Sequence, residues 1–452
     1  MRITMAVNGT RGDIQPAVIL AGALAARGHD VRVGVPPNLI GLAAHLGVPA
    51  RAFGYDTRAH LEEVRRVRNE AGRNPLRRVQ AVAAVNRTGW SDSVDDLADL
   101  TAGADAIITG FTTEAIALPF AEALRIPLIS LHHAPVRANA RVGPLPQLPG
   151  ALGGPLVPAQ WAAAEQLMRL ATRGQEAALR ARLGVRPAGA PLAGLIAGNA
   201  GIEIQAYDPM FAITGDSRWD ASPRPRPVVG FIDLAVRHSG PDPALDAWLE
   251  AGGPPVYFGF GSMPIRDSQS TVSAMVRAAR RIGRRALICA GWSGPPENVP
   301  SGADVYFAET VDHHSVLSRC AAAVHHGGAG TTAAALRHGV PSVVCWFGAD
   351  QPFWGAQLRR VGAGMSMPVR KLTVDALESA LRAIDTDVSR RRASNAARAL
   401  VGPDEALAEA VAAVETGLHL ATGGSAHKVV RNYRRKVQAN RDRLTANVTG
   451  RR

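Results

Sequence analysis

From His325 to Gln351 the chain reads HHGGAGTTAAALRHGVPSVVCWFGADQ, a run whose polar residues suit one task. An apolar strand, Ala321 to Val324, delivers two histidines into a turn containing Gly327, Gly328 and Gly330, and a helix opens beyond Ala329 at Thr331 and Thr332. Glycine lets a backbone approach a ligand closely. The unpaired N–H groups of a helix N-terminus, at the positive end of its dipole, attract anions. A second strand, Pro341 to Cys345, leads to Asp350-Gln351, a carboxylate beside an amide, a pair suited to polyol hydroxyls. These residues describe a pocket for a diphosphate at one end and a sugar at the other. An ordinary strand–helix connection would leave the histidines and Asp350-Gln351 without a role.

Two more loops sit at strand ends. NGTRGD (Asn8 to Asp13) follows the strand Arg2 to Val7, and GFGSMP (Gly259 to Pro264) follows the strand Pro255 to Phe260. Asp13 has two readings, a proton acceptor at a cleft edge or the cap of a helix opening near Pro16. His132 and His133 follow the strand Pro127 to Leu131. They read either as cleft residues touching acceptor or donor phosphate, or as a structural pair. His325 is expected to face its own sheet, because neighbouring strand residues point oppositely. The one D-x-D, Asp385-Thr386-Asp387, follows a helix rather than an apolar strand, so it reads as a solvated loop and no metal site is expected.

The elements that must position these groups alternate strand and helix, the pattern of open parallel sheets. In the first half, Arg2 to Val7, Val31 to Val35, Ala106 to Thr109 and Pro127 to Leu131 read as strands, with a helix from Pro16 to Arg27. Residues 134 to 160, rich in Pro and Gly, read as a long loop, followed by a helix from Trp161 to Leu183. Composition breaks at SPRPRP (Ser222 to Pro227), a stiff, extended spacer. Alternation then restarts and ends with helices from Val374 to Ile384 and Asp404 to Glu415. The expected organisation is α/β: residues 1–221 as one doubly wound domain, 222–240 as a linker, 241–418 as a second, and 419–452 as a basic tail. Two such domains face each other across a cleft, with ligands at the carboxyl ends of the strands.

Several chemistries fit poorly. The first turn lacks G-x-G-x-x-G, and the second strand ends at Val35-Pro36-Pro37 with no acidic residue for a ribose, which argues against a dinucleotide. No lysine follows the glycine turn, which argues against a Walker loop. Hydrophobic residues at 46% and charged residues at 20% are ordinary for a soluble globular chain. The net charge of +13 is uneven: residues 421–452 hold nine Lys or Arg and one Asp, a net +8, leaving +5 for the rest. That remainder does not describe a nucleic-acid binder. Cys289, Cys320 and Cys345 show no metal-like spacing and read as buried thiols of a reducing compartment. With no signal-peptide pattern and no apolar run of membrane-spanning length, a cytoplasmic protein is expected.

Three motifs carry a resemblance. HHGGAGTT (His325 to Thr332), with GVPSVVCWFGADQPFWG (Gly339 to Gly355), resembles the donor-site signature of family-one glycosyltransferases of the GT-B fold. GTRGDIQP (Gly9 to Pro16) is similar to their bacterial branch, which includes glycopeptide-antibiotic, sterol and actinobacterial lipid and lipopeptide glycosyltransferases. YFGFGSMP (Tyr257 to Pro264) is a third match, and the motifs follow family order over about residues 1 to 418. The resemblance implies two facing Rossmann-like domains and inverting transfer of a hexose or deoxyhexose from a uridine or thymidine diphosphate sugar. It implies that His326 and the N–H groups from Gly328 through Ala329 and Gly330 to Thr331 hold the diphosphate. Ser262 and Gly12 would assist, backbone near Val311 would meet the base, and Asp350 and Gln351 would hold sugar hydroxyls. Asp13 would be the general base, with Thr10, His132 and His133 near acceptor or phosphate. No metal and no cofactor beyond the donor substrate are implied. Ala333, Ala334 and Ala335 stand where plant-type members carry a ribose-binding glutamate, and no base-stacking tryptophan occurs near Phe307 and Ala308, so the base stays open.

The acceptor implied by the resemblance is large and hydrophobic: a lipid, lipopeptide, sterol or polyketide. The basic tail reads either as a peripheral contact with anionic membrane or as a solvated terminus. Two rivals share the donor pocket: an epimerase or hydrolase of sugar nucleotides, and a non-catalytic binding protein.

Overall fold

The apolar runs flanked by glycine and proline form two parallel sheets. The computed structural model describes residues 1–72, 74–144, 154, 156–213, 215–220, 222–234, 242–261, 268–289, 291 and 302–421. In the first sheet, β1 (Arg2–Ala6), β2 (Asp30–Val35), β3 (Ala50–Ala52), β4 (Ala106–Gly110), β5 (Leu128–His132) and β6 (Glu203–Gln205) run in the order β3-β2-β1-β4-β5-β6. In the second, β7 (Val256–Gly259), β8 (Ala286–Cys289), β9 (Val305–Ala308), β10 (Ala322–His325), β11 (Ser342–Trp346) and β12 (Gly364–Pro368) run in the order β12-β11-β10-β7-β8-β9. Counted within each half, both orders are the same doubly wound topology, reversing direction between the first and fourth strands. The reversal points are β1/β4 and β7/β10, whose ends carry Asn8–Asp13 on one side and His325–Gly328 on the other. Helices cover both sheet faces, so the central strands are buried throughout, as in Val256–Gly259 and Ala322–His325.

Three expectations about elements need correction. The first helix spans Arg11–Ala26 and contains Pro16, rather than opening at it. Thr10 and Asp13 begin it, and a capping pair at the end of β1 is the stronger start signal. The SPRPRP stretch is no free spacer. Glu203 and Gln205 N–H groups donate to the carbonyls of Pro225 and Pro227, Val229 N–H donates to Gln205, and Gln205 bridges Val228, so the stretch closes the edge of the first sheet at β6. Proline lacks an N–H but keeps its carbonyl, and only that carbonyl is needed at such an edge. Finally, the helix Pro403–Ala421, expected with the second domain, packs on the first. Ala410, Val411, Val414 and Leu418 join the core of Ile3, Leu20, Ile129 and Ile204, and Arg27 Nε donates to Glu415 Oε1 at 3.2 Å.

The chain therefore crosses between halves twice, near Phe231 and near Val401. One side chain holds both crossings: Arg337 donates through Nη2 to the Phe231 carbonyl at 2.8 Å and through Nη1 to the Val401 carbonyl at 3.1 Å. Aromatic packing adds to this junction. The buried Trp354 ring lies 5.4 Å from Phe231, 5.8 Å from Phe211 and 6.2 Å from Tyr207. Each such pair is worth about 0.5–1.5 kcal/mol beyond its burial. Among the described residues no helix is long and apolar enough to cross a membrane. Ser262 lies outside the described residues, as does the basic tail beyond Ala421.

Candidate active site

The first-half contribution is the tight turn after β1. Asp13 is the third residue of the helix Arg11–Ala26, and its Oδ2 accepts from the Thr10 N–H at 2.8 Å and the Thr10 hydroxyl at 3.3 Å. Capping and cleft position are thus joined in one half-buried carboxylate. Gly9, at φ 144°, is required here, because a Cβ would lie 2.4 Å from Asp13 Oδ2. Gly12 is exposed on the same turn. Thr112 Oγ1 donates to the Asn8 carbonyl at 2.7 Å and ties this turn to the end of β4.

The paired histidines separate. His133 is half-buried beside Asp13: burial lowers its pKa, and the Asp13 charge acts in the opposite direction. Of the two readings for His132, cleft contact or structural residue, the structure shows the second: it points into the domain. Its Nε2 lies 2.8 Å from Glu114 Oε1, and its Nδ1 lies 3.2 Å from Gln205 Nε2. Arg137 also donates to Glu114 at 2.6 Å and to Glu203 at 2.9 Å. Burial alone would raise the Glu114 pKa, but Arg137 and His132 hold it well below the carboxylate range. The physical reason for the separation is strand alternation, which sends consecutive side chains to opposite faces. Nothing in the local sequence marked Glu114, Arg137 or Glu203, whose partners are remote along the chain.

The second-half contribution is built at β7/β10. His325 faces the sheet, fully buried, and its Nδ1 accepts from the Gly327 N–H at 3.1 Å. The His326 ring lies between two glycines: a Cβ on Gly328 would fall 2.5 Å from its Nε2, and one on Gly261 would fall 3.2 Å from its Cε1. Burial pushes His326 down to about 4, so the imidazole is neutral at neutral pH and offers a hydrogen bond without a charge. Gly328 is the N-cap of the helix Ala329–Arg337, and the N–H groups of Ala329, Gly330 and Thr331 form its open first turn. Thr331 is half-buried, whereas Thr332 is buried. Val311 follows β9 at the same sheet end, close to Cys289 at the end of β8.

Asp350 and Gln351, expected to hold sugar hydroxyls, open the helix Gln351–Arg360. Asp350 Oδ2 accepts from the Trp354 indole N–H at 2.9 Å, a contact legible as an i,i+4 pair in DQPFW. Gln351 Oε1 accepts from the N–H groups of Phe347 at 2.7 Å and Gly348 at 3.4 Å, so part of this amide shapes its own turn. Ala349 sits at φ 54°, which costs a residue with a Cβ about 1–2 kcal/mol. Burial pushes Asp350 up to about 6, and the charge of Asp13 adds to that rise. Asp13, from the first half, is therefore near enough to act on Asp350 of the second. By contrast, Asp385 of the D-x-D receives bonds from Arg284 at 2.8 Å and Arg390 at 2.9 Å, and Thr386 caps the next helix, so this stretch is an ion-paired cap, not a solvated loop. Among the described residues no group of three or more His, Cys, Asp or Glu is arranged for a metal.

The same two halves appear in comparisons with known proteins. Residues 3–139 match the model of the glycosyltransferase family 28 N-terminal domain, and residues 295–416 match the erythromycin biosynthesis protein CIII-like C-terminal domain. An uncharacterized glycosyltransferase of Mycobacterium tuberculosis is 36% identical over 385 residues, covering 85% of this chain and 91% of the relative. The vancomycin aglycone glucosyltransferase of Amycolatopsis orientalis is 30% identical over 407 residues, covering 87% and 92%. In fold, the chain is similar to the kitacinnamycin glycosyltransferase, with a TM-score of 0.65 at 17% identity over 92% of this chain and 97% of that one. Two family models, one on each half, and relatives matched along nearly their whole length lead to one assignment: the chain belongs to the family-one glycosyltransferases of the GT-B fold.

Proposed function

We propose that the enzyme moves a hexose or deoxyhexose, with inversion, from a uridine or thymidine diphosphate sugar to a hydroxyl of a hydrophobic acceptor, without a metal. Asp13 takes the hydroxyl proton as the acceptor oxygen attacks the anomeric carbon from the face opposite the diphosphate. The bond from that carbon to the phosphate oxygen breaks, and the diphosphate leaves with the electron pair. His326 and the N–H groups of Ala329, Gly330 and Thr331 stabilise the charge that develops there. Asp350 and Gln351 hold sugar hydroxyls, and backbone near Val311 meets the base. The observation that carries the reading is the open first turn of the helix Ala329–Arg337 beside the buried His326 ring, with Asp13 of the other half near enough to act on Asp350. A large aglycone as acceptor is supported by the vancomycin relative.

The test is a panel of nucleotide sugars, with and without EDTA, on the wild type and on Asp13→Asn. Transfer is expected to fall by about 10²-fold or more in Asp13→Asn, the usual weight of a general base, while nucleotide binding stays near wild type. EDTA is expected to change neither. Wild-type transfer by Asp13→Asn would remove the base assignment. Turnover of donor alone at the rate seen with acceptor would favour hydrolysis.

A further inference from the structure

The helix Val157–Arg182 is anchored at its ends and bare in its middle. Near its start, the Trp161 indole donates to the Val142 carbonyl at 2.8 Å. Near its end, Leu179 is core, and buried Arg180 donates to Glu176 at 2.9 Å and to Glu122 at 2.7 Å. Between these anchors, Leu167 is 69% exposed, Leu170 59% and Met168 49%, and Leu156 just ahead of the helix is 69% exposed. Of the nine large apolar residues exposed among the described residues, these are four. Leu156, Ala163, Leu167 and Leu170 recur at helical spacing and form one stripe. The charges interleaved with the stripe are positive. Arg169 and Arg173 lie beside the leucines, whereas Glu165 is half-buried toward Arg137 and Glu176 is taken by Arg180.

We infer that this helix face is a docking surface for an anionic lipid bilayer. A convex ridge of leucines flanked by arginines suits the boundary between headgroups and acyl chains. Arginines near an anionic surface add electrostatic attraction to that apolar contact. A second copy of the chain is a poorer occupant, because a two-fold contact would bring arginines of the same stripe together. Only one consequence, that a hydrophobic acceptor is drawn from the bilayer, rests on the function proposed above; the docking itself does not.

The experiment is co-sedimentation of the full chain with vesicles of phosphatidylcholine mixed with phosphatidylglycerol, and with phosphatidylcholine alone. Wild type is expected to bind the mixed vesicles and to leave the neutral ones largely free. The double variant Leu167→Glu with Leu170→Glu is expected to bind the mixed vesicles at least about tenfold more weakly, since two exposed leucines that would enter the bilayer are lost. Arg169→Gln with Arg173→Gln is expected to lose several-fold. Leu167, Leu170 and Arg173 are exposed and Arg169 is half-buried, so unchanged melting and nucleoside diphosphate binding verify the fold and the donor site of both variants. Wild-type binding by the leucine variant would overturn the inference and leave any binding to another segment, the basic tail foremost. So would a failure of wild type to bind mixed vesicles, or a dimer of wild type that the leucine variant abolishes. If docking holds while no nucleotide sugar is turned over, the surface stands and the proposed reaction falls.

Discussion

Asp350 costs the fold something for being where it is. Burial, with Asp13 opposite, lifts its carboxyl to about 6 from an ordinary 3.8. A raised acid binds its proton more tightly in the folded chain than in the unfolded one. Stability therefore falls as pH rises through that window and stays lower above it. Asp350→Asn keeps an acceptor for the Trp354 N–H and removes the buried charge. It is expected to melt higher than wild type at pH 8 and close to it at pH 4, while transfer drops. Thermal melts at both pH values check this; equal melting at pH 8 would show that the charge is relieved some other way. His326 carries the same lesson with opposite sign, because burial keeps it neutral, at about 4. In the proposed reaction such a neutral group would offer the diphosphate a hydrogen bond without a charge.

Short helix starts do most of the positioning. The turn after β1 and the turn after β10 each place functional groups within one helical turn of a strand end, where backbone N–H groups are open. Gly328 sits at φ −63° and ψ 145°, a conformation alanine adopts freely. The obstacle to alanine is His326, 2.5 Å from the added carbon. Gly328→Ala is thus expected to weaken nucleoside diphosphate binding by about tenfold while costing only about 1 kcal/mol of stability, the usual scale for a helix cap. Calorimetry of nucleotide binding beside a melt separates the two effects. The sequence made these turns legible because they are local: strand, glycine, cap and helix lie within a dozen positions. It misjudged the start of the first helix because Pro16 is a stronger textual signal than the Thr10–Asp13 pair that sets the start. It said nothing of the Glu114–His132–Arg137–Glu203 network, since buried ion pairs join residues with no shared periodicity. The proline stretch misled for a related reason: composition marked it as stiff, but only pairing with β6 makes it part of a sheet.

At the scale of the molecule, the glycine turn after β10 and the junction between halves are two ends of one helix. Ala329–Arg337 begins at Gly328 and ends at the arginine that holds both crossings. Beside it, Asp233 on the first crossing accepts from Gln15 of the first half at 3.4 Å and pairs with His314 of the second at 3.2 Å. The hydrogen bond to Asp233 raises the pKa of His314, ahead of the opposing effects of burial and of Arg337. A raised histidine contributes stability that is complete below its unfolded value near 6.5 and is lost as pH rises through the folded value. On the other side, burial would raise Asp233, yet the His314 bond leads the effects that take it below its ordinary value. His314→Gln is expected to lower the melting temperature more at pH 6 than at pH 8.5. A loss of equal size at both would mean that the pair acts by packing rather than charge.

The helix Pro403–Ala421 carries a practical consequence for engineering. A hybrid of two related enzymes spliced at the proline stretch hands the closing helix to the wrong parent: it comes with the second half but must fit the groove of the first. At Gly417 even one added carbon would lie 3.3 Å from Ile202 and 3.4 Å from Ile129, so the fit is specific to its own parent. A workable graft takes the middle of the chain alone and returns to the original parent after Val401.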